Sequence, residues 1–360
     1  MGNQALVPPG LSPRRPEWSP LRTWADGDAA VHVLVAALDG GSPAQPLRCS
    51  TSGVNFEELA RASAAHGLEV LLNEQCTKER VLGAIESLGE RCRPEDCFLL
   101  YFSGHGATLG GGETGEPQEQ AFRLAPPAQP GTAPALAAEE LHLRNGLLAR
   151  TLARHLCPGV KVLIVTDCCH TGTIVDLALD EWDNRQALAV SGCIEAEAFG
   201  PSGLFTHALL YAIDALRGTP RYSVGALYKA VQQENSRIFG GAQGVAIQAS
   251  RGTASRDFVW PLVPEASYQS PLARAAAAAG ALVDSRKGGA GGSCCRATGA
   301  RGTRATSRAA MHELQARDPD ALPRLGLQPE ALPFVAKGPA VTGPRGSRAR
   351  PREAPPCMLQ

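Results

Sequence analysis

Short runs of almost entirely apolar residues alternate with helical patterns between residues 31 and 259. Apolar runs bounded by glycine or charged residues are typical of buried strands. Strands without polar alternation occur mainly in parallel sheets that helices cover on both faces. We therefore expect an α/β fold with a mostly parallel central sheet. The predicted strands are 31–38, 68–72, 96–102, 160–166 and 187–191, with a final strand within 248–259.

Capping residues and acidic first turns mark the segments between these strands as helices. Asn55 and Thr77 stand where helix N-caps are expected, and Gly67 and Gly89 where helices end. The predicted helices are 55–67, 77–89, 139–157, 205–216 and 224–235, and a loop rich in Gly, Glu, Pro and Ala covers 107–134.

Composition narrows the class of protein. The 360 residues are 44% hydrophobic, enough for one good-sized core. Because the formal net charge is zero and aromatics make up 5%, we expect no nucleic-acid partner. The 11 cysteines include no C-x-x-C pair, so a structural zinc site is not expected. With no secretory signal pattern and no apolar run of about 20 residues, we expect a soluble cytoplasmic protein whose thiols stay reduced.

Both ends of the chain differ from the middle in composition. Residues 1–28 are rich in Pro and Arg, and residues 265–360 are rich in Ala, Gly, Pro and Arg. Neither segment offers enough apolar surface to offset the entropy of ordering, so we predict that both are disordered. The arginine excess of the tail indicates a solvated segment or, less directly, attraction to acidic membranes or nucleic acid.

Reactive residues follow two of the apolar strands. One strand runs into Ser-Gly-His-Gly at 103–106, and another runs into Asp-Cys-Cys-His at 167–170. The carboxyl ends of parallel strands meet at one edge of a sheet, where function gathers. A cysteine nucleophile needs a base within hydrogen-bond reach, which the histidine can supply. Glycines beside it let a substrate backbone approach and leave N–H groups free for an oxyanion.

These residues resemble the two active-site motifs of the metacaspases, which are caspase-like cysteine peptidases. The matching stretches are YFSGHG at 101–106 and DCCHTG at 167–172, and weaker likeness lies in LRC at 47–49, SGC at 191–193 and GLFT at 203–206. The resemblance covers about residues 30 to 260. It implies a caspase-like three-layer sandwich of type I arrangement, with a large-subunit-like part at 29–185 and a small-subunit-like part at 186–264.

The resemblance also implies a role for each matching residue. His105 would be the general base and then the acid for the leaving amine, and Cys169 the nucleophile, with Cys168 as a bystander. Backbone N–H groups of Gly106 and Cys169 would form the oxyanion hole. Asp167 would line the S1 pocket, so the implied activity is a cysteine-type endopeptidase that cleaves protein or peptide substrates after Arg or Lys. A monomer is expected.

Three departures from the family pattern stand out: Thr171 replaces the usual Ser, and the other two concern specificity and metal. Ser52 and Gly53 stand near the position where the family has a second acidic residue of the S1 pocket. The loss of that carboxylate should weaken or broaden the preference for basic residues. Asp176 matches one aspartate of the family's calcium cluster, and Glu139 and Glu140 fall near its paired acids. The chemistry itself would need no cofactor, with Ca²⁺ as an activator. The alternative is that these acids are ordinary surface charges.

Two further sites are predicted outside the dyad. Arg185 lies between the two subunit-like parts and is either an autoprocessing site or a residue of a plain solvated loop. The last four residues, Cys357-Met358-Leu359-Gln360, fit the prenylation pattern with arginines upstream, which would add weak membrane association. Two other functions stay open: a non-proteolytic scaffold or regulator, and a peptidase of the same clan with different specificity.

Overall fold

A central six-stranded sheet organises the domain. The computed structural model describes residues 29–42, 45–110, 119–127, 138–168, 175–193, 203–216, 219, 221–240, 243–271, 273–275 and 277. The strands are β1 (Val31–Ala37), β2 (Gly40–Ser42), β3 (Gln45–Leu47), β4 (Gly67–Leu72), β5 (Cys97–Gly104), β6 (Gly106–Leu109), β7 (Glu119–Arg123), β8 (His142–Arg144), β9 (Lys161–Cys168), β10 (Ala187–Cys193) and β11 (Gly244–Ala249). The helices are α1 (Cys49–Ala62), α2 (Lys78–Gly89), α3 (Ala138–Leu141), α4 (Asn145–His155), α5 (Leu204–Leu216) and α6 (Val224–Phe239).

The strand order is β11-β10-β9-β5-β1-β4. Neighbouring strands run parallel from β4 to β10, and only β11 is antiparallel, against β10. Strands β2 and β3 form a separate hairpin, and β6, β7 and β8 form a small antiparallel sheet. The predicted α/β fold with a mostly parallel sheet between helices is confirmed.

Alternate residues of each buried strand enter two different cores. Tyr101 of β5 lies on the face that α1, α5 and α6 cover, and its ring stacks on Phe56 of α1 at a centroid distance of 4.1 Å. Phe102 lies on the face that α2 and α4 cover, 4.3 Å from the Phe122 ring. Because both faces are covered, all eight residues of β5 are buried. This explains why its sequence is a continuous apolar run.

Helix caps explain where the predicted boundaries hold and where they do not. The Thr77 hydroxyl accepts from the Arg80 N–H at 3.3 Å and caps α2 as expected. Helix α1, however, begins at Cys49, and Asn55 lies buried inside it instead of capping it. Its first turns are Cys-Ser-Thr-Ser-Gly, which are poor helix formers. Packing of Phe56 and Leu59 against the sheet stabilises a helix that local propensity does not predict.

The segment from 107 to 157 contains a small sheet that the sequence pattern did not show. The continuous helix predicted over 139–157 is wrong, because β8 separates α3 from α4. Leu143 of β8 pairs with Phe122 of β7, and both side chains are buried. The pairing places Leu143 in the core as a strand residue, although its neighbours have helical propensity. The final strand also lies earlier than predicted, at Gly244–Ala249.

Residues 265–271 and 273–275, predicted to be part of a disordered tail, instead pack on the domain. The Glu265 N–H donates to the Ala62 carbonyl at 2.9 Å, and the Ser270 N–H donates to Asp214 Oδ2 at 3.0 Å. Tyr268 is buried, and Arg274 forms a bidentate ion pair with Glu58 of α1. Residues 1–28 and 278–360 lie outside the described residues. No helix in the described part of the chain is long and apolar enough to cross a membrane.

A chain that ends after Pro264 is expected to be less stable than one that ends after Ala277. Loss of the buried Tyr268 ring alone should lower the free energy of unfolding by about 2 kcal/mol, and the lost contacts of Ser270 and Arg274 add to this. Urea unfolding followed by circular dichroism measures the difference. Equal unfolding midpoints for the two chains would show that residues 265–275 contribute nothing to the fold.

Candidate active site

The two reactive motifs leave the sheet side by side. Strands β5 and β9 are parallel neighbours, and Gly104 pairs with Cys168 at their carboxyl ends. His105 follows Gly104 directly and is half-buried. Cys169 follows Cys168 in the sequence and lies outside the described residues. The register therefore pairs the residue before the predicted base with the residue before the predicted nucleophile.

His105 is held from two sides. Its carbonyl accepts from the Arg123 N–H at 2.9 Å, which ties it to β7. Its ring packs against Gly40, where a Cβ atom would lie 2.2 Å from Nε2 and 2.5 Å from Cδ2. No real Cβ approaches that closely, so only glycine fits beside the imidazole in this position. Gly40 follows the predicted strand 31–38 and matches no motif, so this role was not predicted from the sequence.

Gly106 has a backbone N–H that the β6–β7 ladder does not use. Gly106 pairs with Phe122, and the adjacent hydrogen bond runs from the Arg123 N–H to the His105 carbonyl. Gly106 and Phe122 are therefore a non-hydrogen-bonded pair. In such a pair the residues on either side make the ladder hydrogen bonds, and the N–H groups of the paired residues point away from the partner strand. The geometry is compatible with the predicted oxyanion-hole role of this N–H.

Asp167 is buried in a polar network on the α5 side of the sheet. Its Oδ2 accepts from the Thr206 N–H at 3.1 Å and from the Thr206 hydroxyl, and the Gln243 side chain also hydrogen-bonds to it. The Tyr101 hydroxyl lies 2.6 Å from Thr206 Oγ1. Burial raises the pKa of Asp167, although these hydrogen bonds oppose the shift. Gln243 was not anticipated from the sequence, since it lies 76 positions from Asp167 and matches no motif.

Asp167 and Cys168 are consecutive in β9, but their surroundings differ. Ser103 pairs with Asp167 across the strands and is fully buried. Ser52, near the position of the family's second acid, is buried in the first turns of α1. Cys168 packs into the opposite core with the residues under α2 and α4. Its interpretation as a bystander stays a prediction.

The described residues do not assemble a calcium site. Asp176 accepts from the Ala178 N–H at 2.9 Å and lines an open pocket with Asp183 and Arg251. Nη1 of Arg251 lies 3.6 Å from Oδ1 of Asp183, so the Asp183 carboxylate on that side of the pocket is paired with a guanidinium. Within the described part of the chain, no group of three or more His, Cys, Asp or Glu side chains could hold a metal. Glu140 is exposed on α3, and the side chain of Glu139 lies outside the described residues.

Arg185 caps the end of a helix, and its predicted role as an autoprocessing site stays a prediction. Its Nη2 donates to the carbonyls of Ala153 at 2.6 Å and Leu156 at 3.1 Å, at the end of α4. Its own carbonyl accepts from the Ser250 hydroxyl. A protease cleaves an extended, accessible chain, and cleavage after Arg185 would require all of these bonds to break. The predicted lipidation site, Cys357, lies outside the described residues and stays a prediction.

Comparisons with known proteins identify the relatives of this domain. The family model for the metacaspase, peptidase C14 domain matches residues 51–178, a range that contains His105, Asp167 and Cys169. Metacaspase-1B of Aspergillus fumigatus is 27% identical over 161 residues, which are 45% of this chain and 36% of that protein. Metacaspase-1 of Ajellomyces capsulatus is 30% identical over 106 residues, which are 29% of this chain and 27% of that protein. The chain thus spans about a third of the length of these relatives.

Among solved structures, a protein from Geobacter sulfurreducens aligns with a TM-score of 0.46 and 19% identity, covering 67% of this chain and 99% of that one. The Drosophila initiator caspase Dronc aligns with a TM-score of 0.39 and 8% identity, covering 65% of this chain and 83% of that one. The family match spans both reactive motifs, and the two strands that carry them are adjacent in the sheet. The chain is therefore similar to the metacaspases over residues 51–178, the stretch that carries both reactive motifs.

Proposed function

We propose that this chain is a cysteine endopeptidase that cleaves protein or peptide chains after arginine or lysine. The observation that carries the proposal is the pairing of Gly104 with Cys168 at the ends of adjacent parallel strands. A base and a thiol that follow these two residues start from neighbouring backbone positions. His105 is half-buried and not sealed in the core, which supports its proposed role as a base that meets a substrate.

The reaction follows from these groups. His105 takes the proton of the Cys169 thiol, and the thiolate attacks the substrate carbonyl carbon. The Gly106 N–H, which its ladder leaves unused, donates to the oxyanion that forms. His105 then gives its proton to the departing amine, and an acyl-enzyme remains. Water, deprotonated by His105, attacks this thioester and releases the acid and the thiol.

Asp167 supplies the basic preference in this proposal. A carboxylate pairs bidentately with a guanidinium and as a point charge with an ammonium. Burial raises the pKa of Asp167 when no cation is near it. The basic side chain of a bound substrate would favour the charged form of this carboxyl. Ser52 contributes a hydroxyl near the second acid position of the family, so the pocket rests on one carboxylate and should prefer Arg over Lys.

The test is a fluorogenic peptide library that varies the residue before the scissile bond, assayed with and without millimolar calcium. We expect turnover with Arg and Lys peptides and none with Asp peptides, because an acidic side chain would face the Asp167 carboxylate. Turnover after other residues would assign a different specificity. If no peptide is cleaved in either condition, the endopeptidase proposal fails and the scaffold function takes its place.

A further inference from the structure

We propose that Asp39, together with Ser50 and Asn73, is a positioning element that holds the Gly40 backbone against the imidazole of His105. Asp39 acts through Gly40 and does not itself take part in the reaction. The inference rests on the proposed function, since it assigns how the base of that reaction is oriented.

Asp39 is bonded through both its backbone and its carboxylate. The Ser50 N–H donates to Oδ1 at 2.7 Å, and the Ser50 hydroxyl donates to Oδ2 at 2.9 Å. The Asp39 N–H donates to Asn73 Oδ1 at 2.9 Å, and Asn73 Nδ2 lies 3.4 Å from Asp39 Oδ2. A single carboxylate thus joins the end of β1 to the start of α1 and to the residue after β4.

Asn73 is suited to this position by its backbone. Its φ is +49°, in the left-handed region that asparagine adopts more readily than most residues. Asn73 directly follows β4, so its side chain can turn back toward the end of β1, which is the neighbouring strand. The asparagine therefore serves the turn and the hydrogen bond together.

The chain is fixed at three consecutive residues beside the base. The Leu38 N–H donates to the Ser103 carbonyl at 2.9 Å, Asp39 holds the contacts above, and Gly40 pairs with Leu47 of β3. Gly40 then presents a bare backbone to the Nε2 and Cδ2 edge of His105. A ring pressed against an immobile backbone cannot swing in that direction. The orientation of the imidazole depends on that backbone staying in place.

The chemistry requires this restraint. General-base catalysis depends on hydrogen-bond geometry at the proton that is transferred. A displacement of about 1 Å at a reacting group can lower a rate by about 10²-fold. If Asp39 loses its carboxylate, the Gly40 segment can move and the ring can follow it. If Gly40 gains a methyl group, the ring is displaced directly.

The experiment compares Asp39→Ala, Asp39→Asn, Gly40→Ala and the control Gly83→Ala. Gly83 lies exposed on α2, where an added Cβ meets nothing within 4 Å. We expect Asp39→Ala and Gly40→Ala to lower kcat on an Arg peptide by about 10²-fold with KM within about threefold. Asparagine keeps an oxygen that accepts from the Ser50 N–H and puts an amide group in place of Oδ2, from which the Ser50 hydroxyl can accept, so Asp39→Asn should recover most of kcat. Gly83→Ala should behave as the wild type.

A second readout does not depend on turnover. The rate at which iodoacetamide alkylates Cys169 is measured against pH by peptide mass spectrometry in a Cys168→Ala background. An oriented imidazole favours the thiolate at lower pH, so both disruptive variants should move the alkylation profile toward that of an ordinary thiol. Thermal midpoints show whether each variant is folded at the assay temperature.

The outcomes separate this inference from the proposed function. If no peptide is cleaved but Cys169 alkylates at low pH and the variants shift that profile, the positioning element stands and the endopeptidase proposal falls. If folded Gly40→Ala and Asp39→Ala proteins keep the wild-type profile, the inference is overturned. It is also overturned if Cys169 of the wild type reacts like an ordinary thiol, because no oriented base then acts on it.

Discussion

Replacing Cys169 with alanine is expected to lower turnover of an Arg peptide by at least about 10³-fold, because the group that forms the acyl-enzyme is removed. Replacing the adjacent Cys168 with alanine should leave turnover within about threefold of the wild type. Cys168 is buried among the apolar residues under α2 and α4, where its sulfur acts as a small hydrophobe. Steady-state kinetics with purified protein measures both effects.

Cys168→Ala is a demanding control because the two cysteines are neighbours. It makes the same chemical change one residue away, so a general effect of removing a thiol from this segment would appear in both variants. His105→Ala should match Cys169→Ala in turnover, since base and nucleophile act as a unit. Equal activity of Cys169→Ala and the wild type would refute the dyad, as would a loss in Cys168→Ala as large as that in Cys169→Ala.

The sheet was predictable because its strands are buried on both faces. Strands such as β5 and β9 are continuous apolar runs. Because the two strands are parallel neighbours, His105, which follows β5, and Cys168, the last residue of β9, lie at the same edge of the sheet. The pattern failed where an element depends on partners distant in sequence. Strand β8 is three residues long and forms only against β7. The start of α1 has poor helix formers, and the packing of Phe56 and Leu59 on the sheet stabilises the helix as a whole.

Some residues of the candidate site could likewise be predicted from the sequence, and others could not. Motifs pointed to His105 and Asp167, whose side chains have the proposed roles in catalysis and in substrate binding. Gly40 was not evident, because its contribution is the lack of a side chain at one point against the imidazole. Gln243 was not evident either, because an isolated glutamine near a strand has no pattern of its own. Residues that support a site through shape or through one buried hydrogen bond need the folded chain to be found.

The burial of Asp167 gives the proposed pocket a pH dependence. A carboxyl whose folded pKa is raised stays neutral over a range of pH in which an exposed aspartate is already charged. As pH rises through the raised pKa, the carboxylate forms and attracts a basic side chain. As pH falls through it, the attraction is lost. The same shift means that burial of Asp167 disfavours the folded state increasingly as pH rises, because the unfolded carboxyl ionises more readily.

Asp167→Asn is therefore expected to remove the preference for a charged side chain and its pH dependence together. The measurement is the ratio of kcat/KM for two peptides that differ only in arginine or its neutral isostere citrulline. His105 and Cys169 titrate identically with both peptides, so their ionisation cancels in the ratio. In the wild type the ratio should rise with pH to about 10- to 100-fold, as expected for a hydrogen-bonded charge pair. In Asp167→Asn it should stay near one at every pH.

Unfolding experiments give Asp167→Asn an independent check. The asparagine oxygen can still accept from the N–H and hydroxyl of Thr206, so the variant should fold. Since asparagine cannot ionise, the free energy of unfolding of the wild type should decline relative to the variant as pH rises from the ordinary pKa of aspartate to the raised pKa of Asp167, and the difference should level off above it. A parallel pH dependence in both proteins would show that the carboxyl is not buried in the neutral form. An Arg-to-citrulline ratio that survives in Asp167→Asn would place the recognition of the basic side chain on another residue.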